Sequence, residues 1–331
     1  MNRPDTFNAY YVQENDGIYS GKVDTIPFSS LPEYDVLIKV QYSSLNYKDA
    51  LSSTGRNHVT RKYPHIPGID AVGVVVEDSS QTFQKGQPVI VTGYDLGTNT
   101  FGGFSEFISV PAEWVVSLPE ALTPEQAMIF GTAGFTAIYG IERLKRELIT
   151  PDSGPVLVTG ATGGVGSLAT FGLAQLGYEV IAASRKPSTT TFLKQLGASH
   201  ILNSDELLEV GNAPLLSRKW MGAIETVGGE VLDSVLRQTH EKGAVACCGN
   251  ILGKELSTNV YPFILRGVSL LGIDSAICER PLRGQIWDTI ASFDFSLLPN
   301  DFHRVVSLEG LSKEVETILD GKQVGRVVIK V

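Results

Sequence analysis

The chain has 331 residues, more than one hydrophobic core usually holds, and its length predicts two domains. With 43% hydrophobic and 19% charged residues, the composition is that of a globular protein, which excludes disordered, collagenous and coiled-coil chains. The formal charge is -9 without a basic block, so neither nucleic acid nor an anionic membrane is expected as the main partner.

The N-terminal segment and the cysteines predict a cytoplasmic location. The first residues lack the apolar stretch of a signal peptide, and no apolar run approaches the length that spans a bilayer. The three cysteines form no disulfide framework. We therefore expect a cytoplasmic protein that does not act at a membrane.

Short alternating strands predict a β-rich domain over residues 1–126. They are found at 36–42, 71–77 and 88–93, and glycine and proline turns separate them. From residue 127 the pattern changes to a repeated strand, glycine turn and helix. Residues 276–331 end in RVVIKV, another β-like segment, and are predicted to return to the first domain.

Six apolar runs between residues 127 and 275 predict parallel strands that are covered on both faces. The runs lie at 155–159, 178–183, 200–202, 222–226, 243–248 and 268–273. Helices are predicted between them, for example at 164–176 and 188–196. This count is that of a doubly wound, six-stranded Rossmann sheet, an α/β fold that binds dinucleotides.

The glycine turn after the first of these strands predicts a dinucleotide site. Gly160, Gly163 and Gly166 have the spacing G-x-x-G-x-x-G between an apolar strand and a helix. Glycines let the backbone approach a pyrophosphate, whose negative charge then lies at the helix N-terminus. The alternative is a purely structural turn, because tight strand-to-helix turns also favour glycine.

The end of the second predicted strand favours NADPH over NADH. An NAD site usually has Asp or Glu there to accept from the ribose hydroxyls, whereas this chain has Ser184, Arg185 and Lys186. Two cations and a hydroxyl suit a 2′-phosphate. His200, which opens the third strand, is predicted to add a donor. The alternatives are a solvated basic turn and a surface histidine.

The sequence predicts no metal site. Zinc needs about four ligands within reach of one point, but the five histidines are scattered and neither C-x-x-C nor H-E-x-x-H occurs. Cys247 and Cys248 are adjacent in a predicted strand, so their side chains point to opposite faces. The G-x-S-x-G motif of serine hydrolases is also absent.

Several strings resemble the medium-chain dehydrogenase/reductase superfamily: GTAGFTA (131–137), VTGATGGVG (158–166) and GRVVIKV (325–331). Zinc-containing members carry a Cys, a His-Glu and a second Cys at three places. Those places hold Asn46, Asp70 and Thr132 here, so the resemblance is to the zinc-free branch. Two longer strings, SSLNYKDAL (43–51) and YPFILRGVSLLGIDS (261–275), resemble the acryloyl-CoA reductase and YhdH/YhfP-type quinone-oxidoreductase-like group.

The resemblance implies a GroES-like catalytic domain at 1–126 and 276–331 and a Rossmann NADP-binding domain at 127–275. Tyr47 and Asn46 would border the nicotinamide and the substrate, and Arg326 would reach a cofactor phosphate. The other implied cofactor contacts are Thr132, Thr136, Thr162, Gly163, Gly164, Val165, Ser184, Arg185, Lys186, His200, Asn250, Ile264 and Ser275. The alternatives are a packed aromatic ring for Tyr47 and a surface salt bridge for Arg326.

The activity implied is NADPH-dependent reduction of an activated carbon–carbon double bond, with acryloyl-CoA the favoured small-molecule substrate. Negative charge would build on the thioester oxygen, and Asn46 and Tyr47 are the expected donors to it. Arg56, Arg61 and Lys62 are candidates for the CoA phosphates. The alternatives are an NADPH:quinone oxidoreductase and a non-catalytic NADPH-binding stress protein.

The last predicted strand of the Rossmann sheet, at 268–273, predicts a homodimer. It lies at one end of the expected strand order and contains neither charge nor proline to discourage pairing. Antiparallel pairing with its copy across a two-fold axis would satisfy the unpaired backbone groups. The alternative is that a loop of the same chain covers this edge.

Overall fold

The computed structural model describes residues 3–208 and 211–331 and divides the chain into two compact units. The first unit comprises the residues up to Thr132, Ala276–Ala291 and Asp301–Val331. The second unit comprises Ala133–Ser275 and Ser292–Asn300. The unit boundary thus falls at residue 132 instead of 126. The short segment 292–300 packs on the second unit, where the Phe293 and Phe171 rings are 5.9 Å apart.

The strands and α-helices are numbered here in chain order. The described strands are β1 (Thr6–Asn15), β2 (Ile18–Pro27), β3 (Val36–Ser44), β4 (Asp70–Asp78), β5 (Pro88–Thr92), β6 (Phe107–Val110), β7 (Val115–Ser117), β8 (Val156–Val158), β9 (Val180–Ser184), β10 (His200–Asn203), β11 (Trp220–Glu225), β12 (Thr239–Cys247), β13 (Ser269–Gly272), β14 (His303–Ser307) and β15 (Arg326–Lys330). The described helices are α1 (Tyr47–Ser53), α2 (Pro124–Arg146), α3 (Gly164–Gln175), α4 (Thr190–Gln195), α5 (Gly229–Gln238), α6 (Tyr261–Arg266), α7 (Arg280–Ala291) and α8 (Leu311–Leu319).

The first unit is built on a largely antiparallel sheet. Its strand order is β14-β15-β3-β4-β5-β7, and β6 pairs with β3 beside this path. Strands β1 and β2 form a separate hairpin. The C-terminal strand β15 pairs with β3, with Val328 opposite Ser44, so the end of the chain lies in the first unit. This pairing brings the residues that flank β3 and β15 together.

The second unit is a six-stranded parallel sheet in the order β10-β9-β8-β11-β12-β13. This is the doubly wound arrangement that the sequence predicts, and all six predicted strands are present. Its strands are apolar because helices cover both faces. The core includes Trp220, which is fully buried and donates its indole N–H to the Val235 carbonyl at 3.2 Å.

A break in α2 matters for the candidate site. Gly131 has φ 51° and ψ −152°, a conformation that favours glycine, and it interrupts the helical geometry. A Cβ at this position would overlap the Asp70 carboxylate and the Ser44 hydroxyl. Glycine therefore allows the Thr132 backbone N–H to approach Asp70. Within the described residues, no helix has the length and apolar character needed to cross a membrane.

Candidate cofactor and active site

The phosphate-binding turn lies between β8 and α3. Gly160 has φ 57°, and a Cβ on Gly166 would overlap the Gly160 carbonyl, so both positions require glycine. No side chain caps the N-terminus of α3 at Gly163, which leaves the first backbone N–H groups of the helix for an anion. The predicted residues Thr162, Gly163, Gly164 and Val165 all lie at this turn.

A basic turn follows β9 at the same edge of the sheet. The Lys186 N–H donates to the Ser184 hydroxyl at 3.1 Å, and the Thr189 hydroxyl donates to the Lys186 carbonyl at 2.6 Å. Burial lowers the pKa of Lys186, and the neighbouring Arg185 charge lowers it further. Two adjacent cations that disfavour each other form a suitable place for a dianionic phosphate.

His200 does not lie at this turn, so the structure does not bring it beside Ser184. In the parallel ladder His200 is opposite Ile181, whereas Asn203 is opposite Ser184. Three residues of strand separate the two ends by roughly 10 Å. The His200 ring instead lies 3.2 Å from the Glu179 carboxylate, and both side chains are exposed. Asn203 is the β10 residue beside the basic turn, and the sequence analysis missed it.

The remaining predicted contacts of the second unit are partly brought together. Thr136 and Ser275, 139 residues apart in sequence, share a hydroxyl–hydroxyl hydrogen bond of 2.6 Å. Asn250 and Ile264 are both exposed to solvent. Their roles toward a cofactor stay predictions. The sequence analysis also missed Glu225, a buried carboxylate that ends the otherwise apolar strand β11.

In the first unit, a cluster of buried polar side chains surrounds Asp70. Its carboxylate accepts hydrogen bonds from the Ser44 hydroxyl at 2.5 Å and from the Asn46 amide at 2.7 Å. The Thr132 hydroxyl donates to it at 2.6 Å and the Thr132 N–H at 2.9 Å. These bonds join the end of β3, the start of β4 and the break in α2. We call Ser44, Asn46, Asp49, Asp70, Thr132 and Arg326 the Asp70 cluster.

Arg326 supplies the positive charge of the Asp70 cluster. Its guanidinium donates to the carbonyls of Ile129 at 2.9 Å and Leu45 at 3.1 Å, and to the Ser44 hydroxyl at 2.9 Å. The residue is 1% exposed, and burial lowers the pKa of its guanidinium. The structure thus uses the donors of Arg326 inside the first unit, and its contact with a cofactor phosphate stays a prediction.

Asp49 is the second buried carboxylate of the Asp70 cluster. It accepts from the backbone N–H groups of Asn46 at 2.8 Å and Ile69 at 2.8 Å, which fixes the start of α1. Burial raises the pKa of Asp49 to about 7, and the nearby Asp70 charge contributes in the same direction. Ionisation of Asp49 therefore takes place near neutral pH.

The two predicted catalytic residues differ in their environments. Asn46 is 8% exposed, and its amide hydrogens face Asp70 at 2.7 Å and Asp49 and the Ser44 carbonyl at 3.3 Å. The Asp70 cluster uses these hydrogens in this structure, and donation by Asn46 to a substrate oxygen stays a prediction. Tyr47, the first residue of α1, is 45% exposed and presents its ring to solvent.

Comparison with known proteins identifies the family. The family model "Alcohol dehydrogenase GroES-like domain" matches residues 32–120, and the model "Zinc-binding dehydrogenase" matches residues 164–281. The acrylyl-CoA reductase AcuI of Ruegeria pomeroyi is 42% identical over 98% of this chain and 99% of its own length. This chain belongs to the zinc-free, YhdH/YhfP-type group of the medium-chain dehydrogenase/reductase superfamily.

Two solved structures of this group share the whole fold. The yhdH oxidoreductase of Salmonella enterica in complex with NADP has a TM-score of 0.93, with 41% identity over 98% of this chain and 99% of that chain. Bacillus subtilis yhfP with NAD bound has a TM-score of 0.95, with 42% identity over 99% of this chain and 100% of that chain. YhfP carries the provisional name of a quinone oxidoreductase. The resemblance and the fold expected from it are confirmed.

The zinc named by one family model does not fit the residues of the Asp70 cluster. The three places that hold ligands in zinc-containing members are Asn46, Asp70 and Thr132, and these side chains are hydrogen-bonded to each other. The Arg326 guanidinium is part of the same cluster and would repel a metal cation. Among the described residues, no group of three or more His, Cys, Asp or Glu side chains is arranged to hold a metal ion.

Proposed function

We propose that this protein is an NADPH-dependent reductase of activated carbon–carbon double bonds, and that its substrate is acryloyl-CoA. The observation that carries the proposal is the basic turn of Ser184, Arg185 and Lys186 at the carboxyl end of β9. The cations of this turn suit a 2′-phosphate, whereas the carboxylate usual at this place in an NAD site would repel it. The substrate class is supported by the AcuI relative, which is named as an acrylyl-CoA reductase and covers the whole chain.

The residues of the second unit suit NADPH. The backbone N–H groups at the N-terminus of α3 would bind the pyrophosphate, and Arg185 and Lys186 would bind the 2′-phosphate. Structures of YhdH relatives contain NADP and NADPH, which supports the same choice here. The YhfP relative contains NAD. Both cofactors are therefore compared in the test below.

Tyr47 is the proposed donor in the reaction. When bound, NADPH would supply the hydride for the β-carbon of the enoyl thioester, and the α-carbon would then need a proton. The phenolic hydroxyl of Tyr47 can donate a hydrogen bond to the thioester oxygen as charge develops there, or protonate the α-carbon. The hydrogen bond from the Asn46 N–H to the Asp49 carboxylate holds the first turn of α1, which begins with Tyr47.

A second candidate function is NADPH:quinone oxidoreductase, which the name of the YhfP relative favours. A quinone needs an apolar surface, whereas a CoA thioester also needs cations for its phosphates. The exposed side chains of Arg56, Arg61 and Lys62 in the first unit support the CoA substrate.

A substrate panel tests the proposed function. Oxidation of NADPH is followed by absorbance with acryloyl-CoA, longer enoyl-CoA thioesters and quinones, and each reaction is repeated with NADH. We expect acryloyl-CoA with NADPH to give the highest kcat/KM. Fast turnover of quinones without turnover of any enoyl thioester would favour the second candidate. Binding of NADPH with no turnover of any substrate would favour a non-catalytic role.

We also propose that the protein is a cytoplasmic homodimer formed through β13. This strand ends the six-stranded sheet and is paired on one side by β12. Leu270, on β13, is 37% exposed, and the strand carries no charge. Such an edge is suited to pairing with its own copy.

A further inference from the structure

The second unit buries a carboxylate that the proposed function does not use. Glu225 is fully buried at the end of β11. Its Oε1 atom accepts from the Thr159 hydroxyl at 3.1 Å and from the N–H groups of Val227 at 2.8 Å and Gly228 at 3.0 Å. Its Oε2 atom accepts from the Gly228 N–H at 3.1 Å and from the Cys247 thiol at 3.7 Å. Four uncharged donors therefore converge on the carboxylate.

The direction of the Thr159 hydrogen bond follows from its second partner. The Thr226 backbone N–H, which can only donate, lies 2.9 Å from the Thr159 hydroxyl oxygen. The hydroxyl hydrogen is thus available for Glu225. The ionised carboxylate accepts from all of its neighbours, whereas a protonated carboxyl would direct its own hydrogen at groups that donate. The geometry fits the ionised form.

These bonds hold two turns of the cofactor site together. Thr159 and Gly160 begin the phosphate-binding turn after β8, and Val227 and Gly228 lead into α5 after β11. The Thr226 hydroxyl also donates to the Thr159 carbonyl at 2.8 Å. Both turns lie at the carboxyl ends of neighbouring parallel strands, where ligands bind in sheets of this kind. Glu225 itself is buried beneath this surface.

We propose that ionised Glu225 is a positioning residue for the dinucleotide, and that it holds the phosphate-binding turn through Thr159. The inference rests on the proposed binding of NADPH. Protonation of Glu225 would remove the negative charge that strengthens the Thr159 bond and would place a hydrogen among groups that donate. The turn at Gly160 should then loosen, so cofactor affinity should fall in acid.

Among the residues that the structure describes, the other titratable groups packed against the carboxylate stay neutral in acid and at neutral pH. Its titratable neighbours are the thiols of Cys247 and Cys248, from β12 and the residue after it. Burial raises the pKa of Cys247 to about 11 and that of Cys248 to about 12, so both stay neutral. Burial also raises the pKa of Glu225 above the usual value of a glutamate, so Glu225 takes up its proton at a higher pH than an exposed glutamate does.

The test compares Glu225→Gln with the wild type by fluorescence titration of NADPH between about pH 5.5 and about pH 8.5. Glutamine has the shape of the protonated side chain and cannot ionise. At the upper end we expect the variant to bind NADPH about tenfold more weakly, as loss of one hydrogen bond to a charged group implies. At the lower end the two affinities should converge. The ratio of the two dissociation constants cancels the ionisation of NADPH itself.

Fold stability provides a second readout with the opposite sign. Because the pKa of Glu225 is raised in the folded state, its ionisation costs stability as the pH rises, and the Gln variant avoids that cost. As the pH increases, the melting temperature of Glu225→Gln should therefore rise relative to that of the wild type. Over the same pH range the variant should bind NADPH more weakly than the wild type does. A purely structural residue would lower both together.

Thr159→Val and Thr159→Ser provide an independent route if the Gln variant does not fold. Thr159→Val should bind NADPH more weakly, and its affinity should no longer show the pH dependence of the wild type. Thr159→Ser should restore both the affinity and its pH dependence. Glu230→Gln removes an exposed carboxylate from the first turn of α5 and is the matched control, expected to bind NADPH as the wild type does. The inference would be overturned if Glu225→Gln and the wild type had equal dissociation constants for NADPH at every pH. It would also be overturned if the two constants differed by the same factor at every pH. Failure of the wild type to bind NADPH would overturn the proposed function and this inference with it.

Discussion

Cofactor choice depends on two side chains at the turn after β9. Arg185 and Lys186 supply the charge that a 2′-phosphate needs, and the hydroxyls of Ser184 and Thr189 make hydrogen bonds within the turn. NADH lacks the 2′-phosphate and has no group for these cations to bind. The preference for NADPH should therefore be separable from the binding of the rest of the dinucleotide.

The double variant Arg185→Ala with Lys186→Ala should lose that preference. Each charge-assisted hydrogen bond contributes about 1.5–3 kcal/mol, so the KM for NADPH should rise by one to three orders of magnitude. The KM for NADH should change little. Lys194→Ala, an exposed cation on α4, is the control. An equal loss for both cofactors would show that the turn is structural.

The proposed role of Tyr47 leads to a prediction about turnover. Tyr47→Phe keeps the ring and removes the hydroxyl, so kcat with acryloyl-CoA should fall by roughly 10²-fold while the Kd for NADPH stays near that of the wild type. Tyr34→Phe is a matched control because Tyr34 is also 45% exposed in the first unit. Undiminished kcat in Tyr47→Phe would leave that side chain with a packing role only.

At the scale of elements, the Asp70 cluster joins β3, β4, β15, α1 and the break in α2. Its two carboxylates and one guanidinium are buried, so their charges depend on each other. Because the pKa of Asp49 is about 7 in the folded state and lower when unfolded, the folded protein holds a proton there that the unfolded chain releases. The stability that comes from this group is complete in acid and declines as the pH rises from about 4 to about 7.

Asp49→Asn should therefore change how stability depends on pH. Because asparagine does not ionise, the wild type should lose roughly 2 kcal/mol relative to the variant between about pH 5 and about pH 8. The free energy of unfolding is measured by urea denaturation at both values. Asp24→Asn, in the β1–β2 hairpin, serves as a surface control. A wild type and variant that differ by the same amount at both values would contradict the raised pKa.

The elements were easier to predict than the site. The six strands of the second unit are visible as apolar runs because each is covered on both faces, and the glycine spacing locates the start of α3. The position of His200 was missed because an apolar run does not show which end of the strand faces the site. The partners of Arg326 were missed because Leu45 and Ile129 are about 200 to 280 residues away in sequence. Burial of the Asn46 amide depends on the same long-range pairing.

At the scale of the whole molecule, the proposed dimer depends on β13. Leu270→Lys would place a charge in each copy at the two-fold axis and should shift the protein toward monomers, as measured by sedimentation velocity at micromolar concentration. Leu148→Lys, at an exposed leucine elsewhere on the second unit, should leave the assembly unchanged. Sedimentation of the wild type as a monomer would exclude the dimer.

The Asp70 cluster also makes the conversion of this protein into a zinc enzyme hard to reach by single mutations. Cysteine at position 46 or 132 would add a thiolate beside Asp70. The Arg326 guanidinium would remain in the cluster and would still repel a metal cation. Loss of Arg326 alone would strand two buried carboxylates, a change that typically costs 3–5 kcal/mol. We expect each intermediate to fold less well than either end point, a pattern that is called sign epistasis. An engineer would have to replace the arginine and install the ligands in one step.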